Sequence, residues 1–399
     1  QTPVAGMETL ERSNPWWFDP DWSEGDIHLR RWASERVRWI PQWIEHLSLA
    51  PPALNFVYGP RQTGKTTGVK FLIKRLLESA PPESVVYVDL DSVVSLREFR
   101  EVMHWVLARA EARGVGRLYI FLDEVTSLRG WWRVVKFYID SGALERSVVT
   151  ATGSSAVELL KTPEKFPGRR GSGRDVVVLP LGFPQFASVL YGEARDPAVV
   201  EALFEEYLKR GGFPKSINGH PDAAASLIDA VVSETYRHGR SPQLLKEVVG
   251  AIMEKVPSPL SYHAVAQEVG ISHNTVREYV EFLRDLYLVG VAYLLEGDKP
   301  NLRREKKIFF RDPLIYRALA WWTGRSADES TLLEHVAQEH LYRTCGSVYY
   351  YRNRTEIDIV AGSHRLEIKT SRARRSYPRG VQIVTKRDLP IYLLQLKSC

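Results

Sequence analysis

The 399-residue chain has little cysteine and no long apolar run. Its two cysteines, Cys345 and Cys399, are too few for a disulfide framework or for CxxC metal sites, and they suit a reducing cytoplasm, the expected location. No apolar run approaches the roughly 20 residues that cross a bilayer, so no membrane partner is expected. Gln1-Thr2-Pro3-Val4 lacks a basic region followed by an apolar stretch, and no signal peptide is expected either. Internal repeats and low-complexity tracts are absent. The ten histidines show no metal-ligand spacing.

What is present is a globular composition, 44% hydrophobic and 26% charged, in a chain too long for one ordinary core. The net charge of +6 is clustered. Arg169, Arg170 and Arg174 share a Gly-rich loop; Arg303, Arg304, Lys306 and Lys307 form a second run; Arg372, Arg374, Arg375 and Arg379 form a third. Such runs neutralise phosphates or simply face solvent.

Residues 1–50 form a lead-in rich in Trp and charge, with a helix expected from His28 to Leu47. Over 51–190, short apolar runs alternate with helical periodicity. The runs are Leu54–Tyr58, Val85–Leu90, Leu118–Leu122, Val148–Thr152 and Val176–Leu181. That pattern predicts an α/β fold with a parallel sheet covered on both faces. A helical stretch follows over 191–256. Helix, turn, helix and a strand-like segment occupy 257–300. A last unit, 301–399, holds a helix near Leu332–Arg343 and alternating strands at Ser347–Tyr351, Glu356–Ala361 and Arg365–Thr370.

The run Leu54–Tyr58 leads into Gly59-Pro60-Arg61-Gln62-Thr63-Gly64-Lys65-Thr66, and a helix starts at Lys65. Strand, glycine loop and helix N-terminus together make a phosphate cradle, the Walker A arrangement of P-loop NTPases. Gly59 and Gly64 let the backbone turn. Lys65 is expected at the β- and γ-phosphates of ATP, the Thr66 hydroxyl on Mg²⁺, and Thr67 near the α-phosphate. Asp123 and Glu124 end the run Leu118–Leu122: Asp123 for the Mg²⁺ shell, Glu124 to polarise the attacking water. In Thr152-Gly153-Ser154-Ser155, Ser154 is a candidate polar sensor, or part of an ordinary turn. Arg169 and Arg170 are arginine-finger candidates, in cis or on a neighbouring copy in a homo-oligomer, unless their loop is plain anion-binding surface.

These motifs resemble those of the prokaryotic AAA-type ATPases (AAA_14) that carry a DUF4143 C-terminal domain. The resemblance covers nearly the whole chain. Asn14-Pro15-Trp16-Trp17, Phe121-Leu122-Asp123-Glu124, Gly168-Arg169, Leu179-Pro180-Leu181, Gly211-Gly212-Phe213-Pro214 and Phe310-Arg311-Asp312-Pro313 carry it alongside the glycine loop. It implies an ASCE-type sheet with a helical lid, and it makes Arg169 the better finger candidate. It adds no substrate.

Ala266-Gln267-Glu268-Val269-Gly270-Ile271-Ser272 has the turn glycine and polar cap of a helix-turn-helix. Val276, Tyr279, Val280 and Leu283 should be buried on its second helix, with His273, Asn274 and Arg277 available to DNA. Glu278 and Glu281 oppose that reading, and winged-helix units also serve as lids or dimer contacts. Further on, Asp358 and Glu367-Ile368-Lys369 lie on two strands joined at Gly362-Ser363, with Glu367 and Lys369 on one face. With Glu334 on the preceding helix, or Glu339 less well, they resemble a restriction-endonuclease-like PD-(D/E)xK core whose leading Pro is replaced by Ile357. The carboxylates would hold a divalent metal and Lys369 would steady phosphate charge. A charged surface hairpin, or a nuclease-like fold without activity, matches the same residues. Two functions follow. One is an ATP-driven DNA-handling protein with a cleaving C-terminal site; the other is a nucleotide-switched regulator whose C-terminal unit only binds.

Overall fold

The computed structural model of the chain describes residues 5–156, 166–193, 196–371 and 377–399. It divides into two compact units, one ending at Leu179 and the other beginning at Pro180. The expected basic residues Arg372, Arg374 and Arg375 lie outside the described residues.

In the first unit the apolar runs become β1 (Ala53–Tyr58), β2 (Val85–Asp89), β3 (Leu118–Asp123), β4 (Ser147–Gly153) and β5 (Asp175–Val177). Every neighbouring pair is parallel, in the order β2-β3-β4-β1-β5. A parallel sheet has no solvated face, so its strands are apolar throughout rather than alternating. Leu54, Val57, Val85, Ile120, Leu122 and Ala151 are accordingly buried. The helices Lys65–Leu76, Leu96–Ala112 and Trp131–Asp140 connect the strands. With β4 between them, β1 and β3 end on the same side of the sheet, where ligands of open α/β sheets bind.

Two expectations are corrected here. The helix expected over His28–Leu47 is only Ile27–Ser34; Glu35 is extended, and a short 3-10 turn, Gln42–His46, follows Pro41. Proline has no N–H to donate and disfavours helix at the residue before it. The run Val176–Leu181 yields only the three-residue edge strand β5.

The second unit begins with the helices Phe183–Tyr191, Pro197–Arg210, Ala223–Arg237 and Pro242–Lys255. The pair Tyr262–Val269 and His273–Asp285 then leads into β6 (Val289–Glu296) and β7 (Lys299–Phe310). After the helices Pro313–Trp322 and Glu329–Cys345 come β8 (Tyr349–Arg352), β9 (Glu356–Ala361), β10 (His364–Lys369) and β11 (Gln382–Thr385). These form one mixed sheet, β11-β10-β9-β8-β6-β7. The division drawn at 300/301 therefore cuts the antiparallel β6–β7 hairpin, which pairs Glu296 with Lys299. The charge of residues 299–307 hid β7 in the sequence, and Lys307 is buried rather than part of a surface patch.

Three motifs of this unit meet at one point. The Asp312 carboxylate accepts from the N–H groups of Leu314 (2.7 Å) and Gly212 (2.8 Å), and Leu181 N–H donates to Gly212 O at 2.9 Å. A Cβ on Gly212 would sit 2.0 Å from Leu181 O, which is why only glycine fits. The cysteine expectation is also corrected: Cys345 and Cys399, 54 residues apart, form a disulfide. Two thiols are too few for a framework, yet folding brings this one pair together. No helix among the described residues is long and apolar enough to cross a membrane.

Candidate functional site

β1 ends at Tyr58 and the loop turns at Gly59, whose φ is +156°. A Cβ there would meet Val178 O at 2.0 Å, so the glycine is required by the chain segment after β5. Pro60, Arg61, Gln62 and Thr63 form the bend. Gln62 is in the left-handed region, and the Thr63 hydroxyl donates to Pro60 O at 3.0 Å. Gly64, at φ +87°, opens the helix Lys65–Leu76 with no side-chain cap, which leaves the first-turn N–H groups facing the loop. The Lys65 Nζ donates to Gly59 O (2.9 Å) and Pro60 O (2.6 Å), which holds the buried ammonium inside the ring of loop amides. Thr66 and Thr67 follow on the first turn, each half-buried.

The Thr66 hydroxyl donates to Asp123 Oδ2 at 2.7 Å, so the two residues expected at Mg²⁺ meet across the β1 and β3 ends. Two residues the sequence reading passed over share that carboxylate. Tyr87 donates its hydroxyl to Oδ2 at 2.6 Å, and Thr152 donates to Oδ1. Thr152 Oγ1 also accepts the Glu124 N–H at 3.0 Å. Glu124 itself has φ 53°, ψ 48°, a left-handed backbone that costs a non-glycine residue about 1–2 kcal/mol. Ser154 donates to Glu124 Oε2 at 3.1 Å. Burial pushes the Glu124 carboxyl up against the opposing pull of Lys65, and the Asp123 charge adds to the push. Ser154 was the polar residue expected at the tip of this strand, within Thr152-Gly153-Ser154-Ser155; Thr152, in the same run, is the one that reaches Asp123.

Neither finger candidate is brought to this loop. Arg169 is bound to Asp140 (2.5 Å), at the C-terminal end of the helix Trp131–Asp140. Arg170 donates to Leu54 O (3.1–3.2 Å), bonds Asp175 and stacks over Phe56. Leu54 lies five residues before Gly59, about 16 Å along an extended strand. In this arrangement neither arginine reaches the glycine loop of its own chain.

Residues 52–187 match the AAA_14 family, an AAA domain. Glycine loop, parallel sheet and Asp123-Glu124 thus belong to an AAA-type P-loop domain. Residues 201–327 match DUF8612, a domain of unknown function, where the sequence had suggested DUF4143. No curated protein matches the chain. Among solved structures, a RuvB variant from Thermotoga maritima is 14% identical, covering 60% of this chain and 81% of that one at a TM-score of 0.32. Cdc6p from Pyrobaculum aerophilum is 13% identical over 76% and 93% at 0.29, and AMPPCP-bound DnaA from Aquifex aeolicus is 17% identical over 61% and 84% at 0.30. Likenesses this loose carry no weight for function.

Beyond the AAA domain, β9 and β10 place Asp358 opposite Glu367. The Asp358 N–H donates to Glu367 Oε2 (3.3 Å), and Ile368 N–H donates to Asp358 Oδ2 (3.1 Å). Lys369 Nζ lies 2.7 Å from Glu367 Oε1. These residues, with Glu334 and Glu356, line a cavity of about 410 Å³. Glu339 is elsewhere: it takes the Arg311 guanidinium through both oxygens and Arg343 as well. Lys307, unforeseen from the sequence, sits among the acids, its ammonium 3.3 Å from Asp358 and Glu356 and 3.5 Å from Glu334. Burial pushes the Glu334 carboxyl well up, against the pull of Lys307. Among the described residues no group of three or more His, Cys, Asp or Glu is arranged to hold a metal ion. An ammonium stands between the carboxylates that would have to converge on one, so as arranged they do not fit a divalent cation.

In the helix pair, Ser272 accepts the Thr275 N–H (3.1 Å), and Val276, Tyr279, Val280 and Leu283 are buried. Asn274 and Arg277 are exposed; His273 stacks on His263 at 4.4 Å. Glu278 and Glu281 are each paired, with Arg240 (3.7 Å) and Arg284 (3.0 Å).

Proposed function

We propose that the protein hydrolyses Mg-ATP and uses that cycle to handle DNA. The hydrolysis reading rests on one observation above others. Thr66 and Asp123 meet at 2.7 Å beside Glu124, which Thr152 and Ser154 hold in a left-handed backbone. On binding, Lys65 exchanges the carbonyls of Gly59 and Pro60 for β- and γ-phosphate oxygens. One hydroxyl, one carboxylate and substrate phosphates are a fitting ligand set for Mg²⁺, so Thr66 and Asp123 would hold it. The ion would neutralise charge on the phosphate oxygens. Glu124 accepts a proton as the water oxygen bonds to the γ-phosphorus and the bond to the bridging oxygen breaks, releasing ADP and phosphate. A carboxylate made more basic by burial suits that role.

The DNA reading is supported by the helix pair followed by the β6–β7 hairpin, the arrangement of a winged helix. Asn274 and Arg277 on the second helix, with Arg303 and Arg304 on the hairpin, are exposed cations and amides suited to phosphates and base edges. Arg240 and Arg284 partly offset the charge of Glu278 and Glu281 on that helix. For the nuclease-like pocket of Glu334, Asp358, Glu367 and Lys369, the Lys307 ammonium favours binding without cleavage. That feature also supports the second reading, a nucleotide-switched regulator whose C-terminal unit is a binding module.

The test measures phosphate release and DNA integrity with linear, forked and four-way DNA, in Mg²⁺ or Mn²⁺, for wild type, Lys65→Ala, Glu124→Gln and Asp358→Ala. Glu124→Gln should keep nucleotide binding and lose roughly 10²–10⁴-fold in hydrolysis. Wild-type turnover should rise with DNA. No phosphate release in any condition would sink the hydrolysis reading, and turnover indifferent to DNA would leave the regulator. Cutting by wild type that Asp358→Ala abolishes would restore the nuclease.

A further inference from the structure

Asn14-Pro15-Trp16-Trp17 is among the most completely buried stretches of the lead-in. Asn14 is fully buried and packs on β2, the edge strand of the parallel sheet. Its Oδ1 accepts the Tyr87 N–H at 2.6 Å, and its Nδ2 donates to Tyr87 O at 2.8 Å. A side-chain amide thus completes the pairing that a sixth strand would otherwise give Tyr87. Trp16 and Trp17 donate their indole N–H groups to Val85 O, two residues earlier, at 2.9 and 3.0 Å.

The lead-in grips Tyr87 a second time through its ring. Asp26 caps the helix Ile27–Ser34 by accepting from His28 and Leu29 N–H groups (3.0 Å each). Its other oxygen pairs with Lys70 of the glycine-loop helix at 3.1 Å, with both side chains 7% exposed. The Lys70 ammonium then lies 4.1 Å from the centre of the Tyr87 ring. A desolvated cation at that distance is attracted to the ring face and holds its orientation. The ring so held ends in the hydroxyl that donates to Asp123 Oδ2 at 2.6 Å, the same oxygen that takes the Thr66 hydroxyl.

We propose that Tyr87 is the positioning residue for Asp123, and that Asn14 and Asp26 make the lead-in a working part of the ATPase site by fixing Tyr87. This rests on the Mg-ATP reading of that site. A carboxylate on a strand end can rotate about its last bond; donors on both oxygens, Tyr87 on one and Thr152 on the other, stop it. Losing a hydrogen bond to a charged group weakens what depends on it by roughly ten- to a hundredfold.

The experiment titrates a fluorescent ATP analogue with and without Mg²⁺ on the full chain, alongside steady-state hydrolysis, for wild type, Tyr87→Phe, Asn14→Asp and Asp26→Asn. Tyr87→Phe should bind the analogue without Mg²⁺ as wild type does, within twofold. It should need roughly ten times more Mg²⁺ for the same gain in binding, and its kcat should fall. Asp26→Asn should move the same way by less. Near-ultraviolet circular dichroism checks the folding of each variant, and Asp26→Asn, which leaves both Asn14 bonds to Tyr87 in place, covers the case in which another variant is unstable. Tyr87→Phe with the wild-type Mg²⁺ dependence would overturn the inference alone. Wild type that shows no Mg²⁺ gain would overturn the ATPase reading beneath it.

Discussion

Mild acid should unfasten the second unit through His340, and His340→Gln should reveal by how much. The ring is fully buried; Nε2 accepts the Phe183 N–H at 2.9 Å, and Nδ1 lies 2.7 Å from Val336 O, so the neutral Nδ1–H tautomer makes both bonds. Burial, with the Arg343 guanidinium nearby, pushes its pKa down to about 4. A depressed folded pKa means the unfolded chain takes the proton first. The associated stability is complete above the ordinary value of 6.5 and drains away as pH falls toward about 4. Between pH 7 and pH 5 that amounts to roughly 2 kcal/mol, about a seventh to two-fifths of a domain's usual total. Asp312 works in the opposite sense: burial raises it to about 7, so its contribution is present at low pH and lost as pH rises. The comparison must therefore be a difference between variant and wild type. Glutamine keeps an acceptor for Phe183 but does not titrate. In denaturant unfolding at pH 7, 6 and 5, wild type should lose about 2 kcal/mol more than His340→Gln over that range. A difference that stays flat with pH would refute the reasoning.

Removing Lys307 should turn the C-terminal cavity into a cation site. Lys307→Met is expected to bind Mn²⁺ measurably by calorimetry where wild type does not, and to lose about 3–5 kcal/mol of stability through uncompensated buried carboxylates. Arg169→Ala should leave kcat within about threefold and stability within about 1 kcal/mol, because its guanidinium is engaged by a part-exposed Asp140 and by Pro167 O. A hundredfold fall in phosphate release would instead place Arg169 at a γ-phosphate, and its dependence on protein concentration would say whose. Reducing Cys345–Cys399, which closes a loop of 54 residues, should lower stability by up to about 4 kcal/mol on the chain-entropy argument. Thermal melts with and without dithiothreitol would read it, and an unchanged melt would count against the bond.

Much of the first unit was legible in the sequence because its signals are local. Strand Leu54–Tyr58, the loop Gly59–Gly64 and the helix at Lys65 are contiguous, and their order alone implies the phosphate cradle. Asp123 and Glu124 were legible because both end one strand. Their supporting partners were not. Tyr87 lies 36 residues before Asp123 and is brought to it by the parallel register of β2 on β3; Asn14 lies 73 before Tyr87 and meets it only because the lead-in packs on the edge of β2. Lys307 was hidden for a different reason. It sits in a run of charge that reads as surface, and only the pairing of β7 with β6 turns it inward among Glu334, Glu356 and Asp358. In the arginine loop composition left open phosphate contact or plain surface, and the pairing of Arg169 with Asp140 and of Arg170 with Asp175 could not be read from it, because those partners lie on other elements.

The β6–β7 hairpin has a mechanical consequence. β6 pairs with β7 on one side and with β8 on the other, so the helix pair ending at Asp285 is continuous with the sheet that carries Asp358 and Glu367. A chain ended at residue 300 would strip β6 of both neighbours and expose two rows of unpaired amides, an invitation to aggregate.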